Sequence, residues 1–163
     1  MRKGWIMVAV LALFLTGCGA EETFETMADE LAAPVIAQQK RVYVELPDQA
    51  ASPAVESDSG RLYHCGEYDI SIQILDSGDL ARTVSAVSGF DPEDLTVVET
   101  VRDGWDCYEF VFVSAGETGD QVGHGMILDD GSYHYCLTVM GSAETAARNQ
   151  VFWEEMFASF RLV

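Results

Sequence analysis

The chain has 163 residues, 48% of them hydrophobic, with Phe 8, Tyr 6 and Trp 3, a composition that excludes disorder as its main state. Its 27 acidic residues against 9 basic ones give a formal charge of −18, which excludes nucleic acid and anionic lipid headgroups as partners held by charge. The length suits one ordinary domain and is too short for the two lobes of a solute-binding protein.

Arg2 and Lys3 form a basic start, Ile6 to Phe14 an apolar run, and Leu15-Thr16-Gly17-Cys18 closes it. That order reads as a secretory signal over residues 1–17. The apolar stretch from Trp5 to Leu15 is 11 residues, short of the ~20 that a spanning helix needs. Its last four residues resemble the lipobox of bacterial lipoproteins. The resemblance implies cleavage before Cys18, a diacylglyceryl thioether on its sulfur, and acylation of the new amino terminus. It further implies an exported protein, lipid-anchored at the outer face of the bacterial cell membrane or at an outer membrane. Seven basic and 27 acidic residues then remain, a formal charge of −20. With no polybasic stretch to help, the lipid does the anchoring, and two or more acyl chains hold stably at ~0.8 kcal/mol per buried CH₂.

Residues 18–40 read as the lipidated cysteine, a tether and a short amphipathic helix. Over Glu21 to Ala33, Phe24, Met27, Ala28 and Leu31 fall at helical spacing, with Glu22, Glu25, Asp29 and Glu30 on the other side. Thr23 can cap this helix and Pro34 cannot continue it. It is either a docking helix for a partner, a helix folded back on its own domain or a loose tether.

From Arg41 the period changes to two, and residues 41–163 read as a single domain. Val42, Val44 and Leu46 alternate up to Pro47, and Ala54 to Glu56 is a second short strand. A turn at Ser57-Asp58-Ser59-Gly60 leads into a third, Arg61–Cys65. The clearest strand follows: Tyr68, Ile70, Ile72 and Ile74 point one way, Asp69, Ser71 and Gln73 the other. Asp76 to Asp79 breaks it and offers a cap for a helix carrying Leu80, Val84 and Val87, with Gly89 placed to stop it. Leu95–Val101 and Trp105–Val113 form a hairpin across Arg102-Asp103-Gly104. After a polar loop over Gly116 to Asp120, Gln121–Leu128 and Ser132–Met140 form another. Ser142 then caps a helix from Ala143 to about Ser159, with Asn149, Trp153, Met156, Phe157 and Phe160 on one face.

Hairpins imply antiparallel pairing, so the fold class is α+β: one antiparallel sheet of about 6–7 strands flanked by helices. That element order, with the ending Phe157-Ala158-Ser159-Phe160, resembles the PsbP/Mog1-like domains. Many bacterial lipoproteins of unknown function carry such a domain. The founding members are a photosystem accessory protein and a small-GTPase-binding protein, so the resemblance implies a scaffold for binding and brings no catalytic motif.

Strong chemical motifs are absent. His64-Cys65 and His134-Tyr135-Cys136 offer zinc-type ligands, but neither a CxxC pair nor HExxH occurs. Ser57, Ser59 and Ser114 sit near glycines without a Gly-x-Ser-x-Gly elbow. Asp76, Asp79, Asp129 and Asp130 are accounted for by the cap and turn that they occupy, and the calcium-loop spacing is missing. Cys65, Cys107 and Cys136 allow three pairings or none. No catalytic residue, metal set or cofactor is expected.

The most suggestive feature is the second face of the sheet. Asp69, Ser71 and Gln73 share it on one strand, Trp105, Cys107 and Glu109 on another, and His134, Cys136 and Thr138 on a third. Meeting on one side, they would form a mixed polar and aromatic surface for a ligand. Covered by a helix, the same face would be half-buried core. The expected function is a non-catalytic binding or accessory module with a protein or small ligand as partner and no nucleic acid. The alternative is a small cell-envelope hydrolase or metal-dependent enzyme.

Overall fold

A computed structural model describes residues 37–116 and 119–163. The signal over 1–17, Cys18 and the helix expected over Glu21–Ala33 lie outside the described residues. The compact unit Gln38–Val163 is built from β1 (Val42–Tyr43), β2 (Val55–Ser57), β3 (Gly60–His64), β4 (Tyr68–Asp76), α1 (Leu80–Ser88), β5 (Val97–Arg102), β6 (Trp105–Gly116), β7 (Gly119–Asp129), β8 (Tyr133–Ser142), α2 (Ala143–Ser159) and β9 (Arg161–Leu162). Seven strands form one antiparallel sheet in the order β2-β3-β4-β8-β7-β6-β5, and β1 pairs with β9 beside it.

Local chemistry sets the boundaries. The Asp79 carboxylate accepts the Arg82 N–H at 3.2 Å to start α1, and Gly89 ends it at φ 79°. Ser142 Oγ accepts the Thr145 N–H at 3.1 Å to start α2. Asp103 and Gly104 turn β5 into β6 with φ 52° and 86°, the pair of positive values that a two-residue hairpin requires. The expected first strand is shorter than its alternation: only Val42 and Tyr43 are paired, while Val44 and Leu46 pack on the core without a strand partner. Where a polar loop over 116–120 is expected, β6 and β7 instead stay paired out to Gly116 opposite Gly119.

Each face of the sheet carries one helix. Under α2 lie Tyr68, Ile70 and Ile72 of β4, Tyr135, Leu137 and Val139 of β8, and Trp153, Met156, Phe157 and Phe160. Under α1 lie Phe110 and Phe112 of β6, Ile127 of β7, Cys136 of β8 and Val84 of the helix itself. Fully burying an apolar side chain of this size stabilises by about 1.5–3 kcal/mol. Burial on both sides explains why β8 has no exposed residue from His134 to Val139.

Glycines let the second core close. Phe110 stands opposite Gly125 and Phe112 opposite Gly123. A Cβ on Gly125 would meet the Phe110 ring at 2.5 Å, and one on Gly123 the Phe112 ring at 2.1 Å. The rings lie flat across β7 because nothing rises there.

Candidate functional site

Helix α2 crosses the sheet and leaves part of its face open beside β5, β6 and β7. A recess of about 360 Å³ opens there, lined among others by Arg102, Cys107, Glu109, His124, Met126 and Phe157. Strand register builds it: Glu109 is opposite Met126, Cys107 opposite Leu128, and Val111 opposite His124. His124 Nε2 lies 2.7 Å from Glu109 Oε1, and its ring packs on Phe157 with centroids 3.9 Å apart. The Arg102 guanidinium donates to the carbonyls of Phe157 and Ala158, both at 2.7 Å. It thereby closes the carboxyl end of α2, where exposed carbonyls and the helix dipole favour a cation.

The recess is poor in reactive groups. Burial pushes the Cys107 thiol up from its ordinary value, which disfavours the nucleophilic thiolate. Arg102 is occupied by the helix end, and the Glu109 carboxylate by His124. Such a site offers shape, an aromatic edge and one polar pair, which are the means of recognition.

The structure divides the expected ligand surface. Asp69, Ser71, Gln73, His134, Cys136 and Thr138 share the α1 face, with Ser71 opposite Thr138 and Gln73 opposite Cys136. Trp105, Cys107 and Glu109 lie on the α2 face, in register with Leu128 and Met126. The three sets therefore do not make one surface. The reason is physical: with both faces covered, the aromatic side of β6 and the aliphatic side of β8 enter different cores.

On the α1 face, His134 is 1% exposed. Its Nδ1 is 2.7 Å from Thr83 Oγ1 in α1, and its Nε2 is 3.3 Å from Asp129 Oδ2. Hydroxyl, imidazole and carboxylate stand in a row, but Thr83 is 4% exposed and its hydroxyl is already bonded to the ring. The row is a buried tie between helix and sheet. Toward β3, His64 Nδ1 meets Asp69 Oδ1 at 2.6 Å on the surface, and Gln73 donates to Ser71 at 3.0 Å. On the other face Lys40 Nζ lies 4.7 Å from the Trp105 ring centroid and 2.6 Å from Asp130.

Cys65, Cys107 and Cys136 are free and buried. Cys136 faces α1 while the other two face α2. Cys65 follows β3 and Cys107 sits on β6, with β4, β8 and β7 between them. Four strand spacings of about 4.8 Å separate these two, far beyond disulfide reach. Among the described residues, no three His, Cys, Asp or Glu side chains gather as a possible metal site.

Sequence reasoning names Glu109 and Cys107 but passes over His124, and it leaves Arg102 as a turn residue and Phe157 on a helix face.

No protein-family model matches the sequence, and no curated protein does either. Solved structures do match. The cyanobacterial PsbP protein CyanoP of Synechocystis sp. PCC 6803 aligns with a TM-score of 0.52 at 12% identity, over 80% of this chain and 96% of that one. The Ran-binding protein Mog1p of Saccharomyces cerevisiae aligns with a TM-score of 0.50 at 12% identity, over 75% of this chain and 90% of that one. The likeness is one of architecture, and the antiparallel seven-stranded sheet with its two helices is a PsbP/Mog1-like fold.

Proposed function

We propose that this chain is a non-catalytic binding or accessory module of the bacterial cell envelope, exported and held to a membrane by lipid on Cys18. The observation that carries the binding reading is the recess beside α2, where every strongly reactive group is buried or already paired. A partner protein is the favoured ligand, because the fold is shared with Mog1p, a Ran-binding protein. The anchoring reading rests on the basic start, the apolar run and the lipobox-like Leu15-Thr16-Gly17-Cys18.

In-cell crosslinking of the full chain followed by mass spectrometry tests the binding reading. One protein recovered repeatedly, and lost when Glu109 and His124 are replaced together, supports it. No specific capture sinks the protein-partner reading. Anchoring is checked separately by fatty-acid labelling: wild type takes up label, Cys18→Ala does not, and an unlabelled wild type overturns it.

A further inference from the structure

The two edges of the sheet are unequal. Edge strand β2 has three residues and follows Pro53 closely, whereas edge strand β5 has six, Val97–Arg102, and contains no proline. Among the described residues the outer side of β5 has no strand neighbour, and such a row of backbone donors and acceptors is a template for a further strand. Apolar surface gathers beside it. Val98 of β5 is 52% exposed, and Val111 and Val113 of β6 are 56% and 55% exposed, while Val101 stands on the opposite face with Glu99 and Asp106. Register fixes their layout: Val98 stands opposite Glu109, so Val111 is its diagonal neighbour on the same face, and Val113 follows two residues on. An apolar stripe therefore runs inward from the open edge, outside the cover of α2.

Charge selects the occupant. Glu99, Asp103 and Asp106 are exposed along β5 and its hairpin. The one guanidinium among them, Arg102, is turned to the α2 carbonyls. A second copy would bring its own formal −18 to this edge, within the ~8 Å over which physiological salt leaves charge effective. A strand alternating apolar and basic residues meets both features, its apolar side on the valines and its cations toward the acids.

We propose that the β5 edge takes up an extended, basic segment of a partner protein as an eighth strand. The inference rests on the binding-module reading and names the surface that would serve it.

The test uses the full-chain protein and a short, end-blocked peptide alternating valine and lysine. Binding is read by titration calorimetry, and its location by amide hydrogen exchange. The expected result is protection of β5 amides, with affinity falling as salt rises. A lysine–serine peptide of the same charge and a valine–glutamate peptide should both bind at least about tenfold more weakly. The double variant Val98→Lys, Val111→Lys should lose binding by a similar factor, about tenfold, with its fold intact because both side chains are exposed. Protection elsewhere, equal binding of the lysine–serine peptide, or unchanged affinity of the double variant would overturn the proposal. So would a crosslinked partner captured equally well by wild type and the double variant, an outcome that leaves the binding-module reading standing.

Discussion

Thr83 and His134 meet across the interface between α1 and the sheet through one bond of 2.7 Å, and both side chains are buried. The Asp129 carboxylate on the far side of the ring only accepts, so in the neutral ring Nε2 carries the hydrogen and Nδ1 takes that of the Thr83 hydroxyl. Ser77 adds a hydrogen bond to Asp129 at 3.0 Å. A helix of nine residues, Leu80–Ser88, is marginal by itself, so this tie adds to the apolar contacts of Val84 in fixing its position.

Thr83→Val keeps the shape and removes the donor. His134 Nδ1 is then left buried without a partner, at a cost of about 1–3 kcal/mol. Urea denaturation should show a lower midpoint with an unchanged slope. A midpoint equal to wild type would mean that the bond contributes nothing net.

The row Thr83–His134–Asp129 also marks where sequence stops being informative. Both ends of α1 and the start of α2 were legible because Asp79, Gly89 and Ser142 act within one turn of themselves. The hairpins were legible because Asp103-Gly104 and Asp129-Asp130-Gly131 are local as well. Facing was not. Polar–apolar alternation assigns a strand's two sides only when one of them meets water, and β8 is buried on both. His134 and Thr138 on β8 were thus grouped with Trp105 and Glu109 on β6, which the register sends to the opposite face. Strand β9, two residues long, is too short to show any period.

The flat Phe110 and Phe112 rings predict unusual sensitivity at two glycines. In Gly125→Ala the new methyl must displace the Phe110 ring from a position 2.5 Å away. Overpacking of this kind costs about 1–3 kcal/mol. Because Gly125 has an ordinary strand conformation, backbone strain adds nothing, and the loss should be recovered by shrinking the partner in Gly125→Ala, Phe110→Leu. Thermal unfolding of the single and double variants reads this directly. A double variant no more stable than the single one would show that the ring is not the obstacle.

Acid sensitivity should centre on Asp130. Burial pushes its carboxyl up, but hydrogen bonds from Lys40, the Tyr133 and Ser132 N–H groups and the Tyr135 hydroxyl outweigh that and hold it below the ordinary 3.8. The unfolded chain therefore binds more protons than the folded one between those two values, and stability rises with pH there. The contribution is complete above about pH 5 and is lost as pH falls through the depressed folded value. Lys40 is 37% exposed, so water screens its share. Asp130→Asn should cost about 1–2 kcal/mol near neutral pH. The gap from wild type should close as the medium is acidified from the ordinary 3.8 down through the depressed folded value. Denaturation midpoints measured across that range decide it, and a gap independent of pH would remove Asp130 as the source.

Thiol chemistry gives the last test. Burial raises the Cys65 and Cys107 thiols and pushes Cys136 up to about 12. At pH 8 the folded protein then holds Cys136 as thiolate in only on the order of one molecule in ten thousand. Iodoacetamide should leave Cys136 unmodified in the native state, with Cys65 and Cys107 slow because both are buried. In denaturant without reductant all three should react, since none is bonded to another. The sheet keeps Cys65, Cys107 and Cys136 apart, so the fold itself opposes pairing among them in an oxidising medium. A disulfide-linked peptide joining Cys65 to Cys107, with only Cys136 of these three thiols titrating after unfolding, would mean that the strand order separating β3 from β6 is wrong.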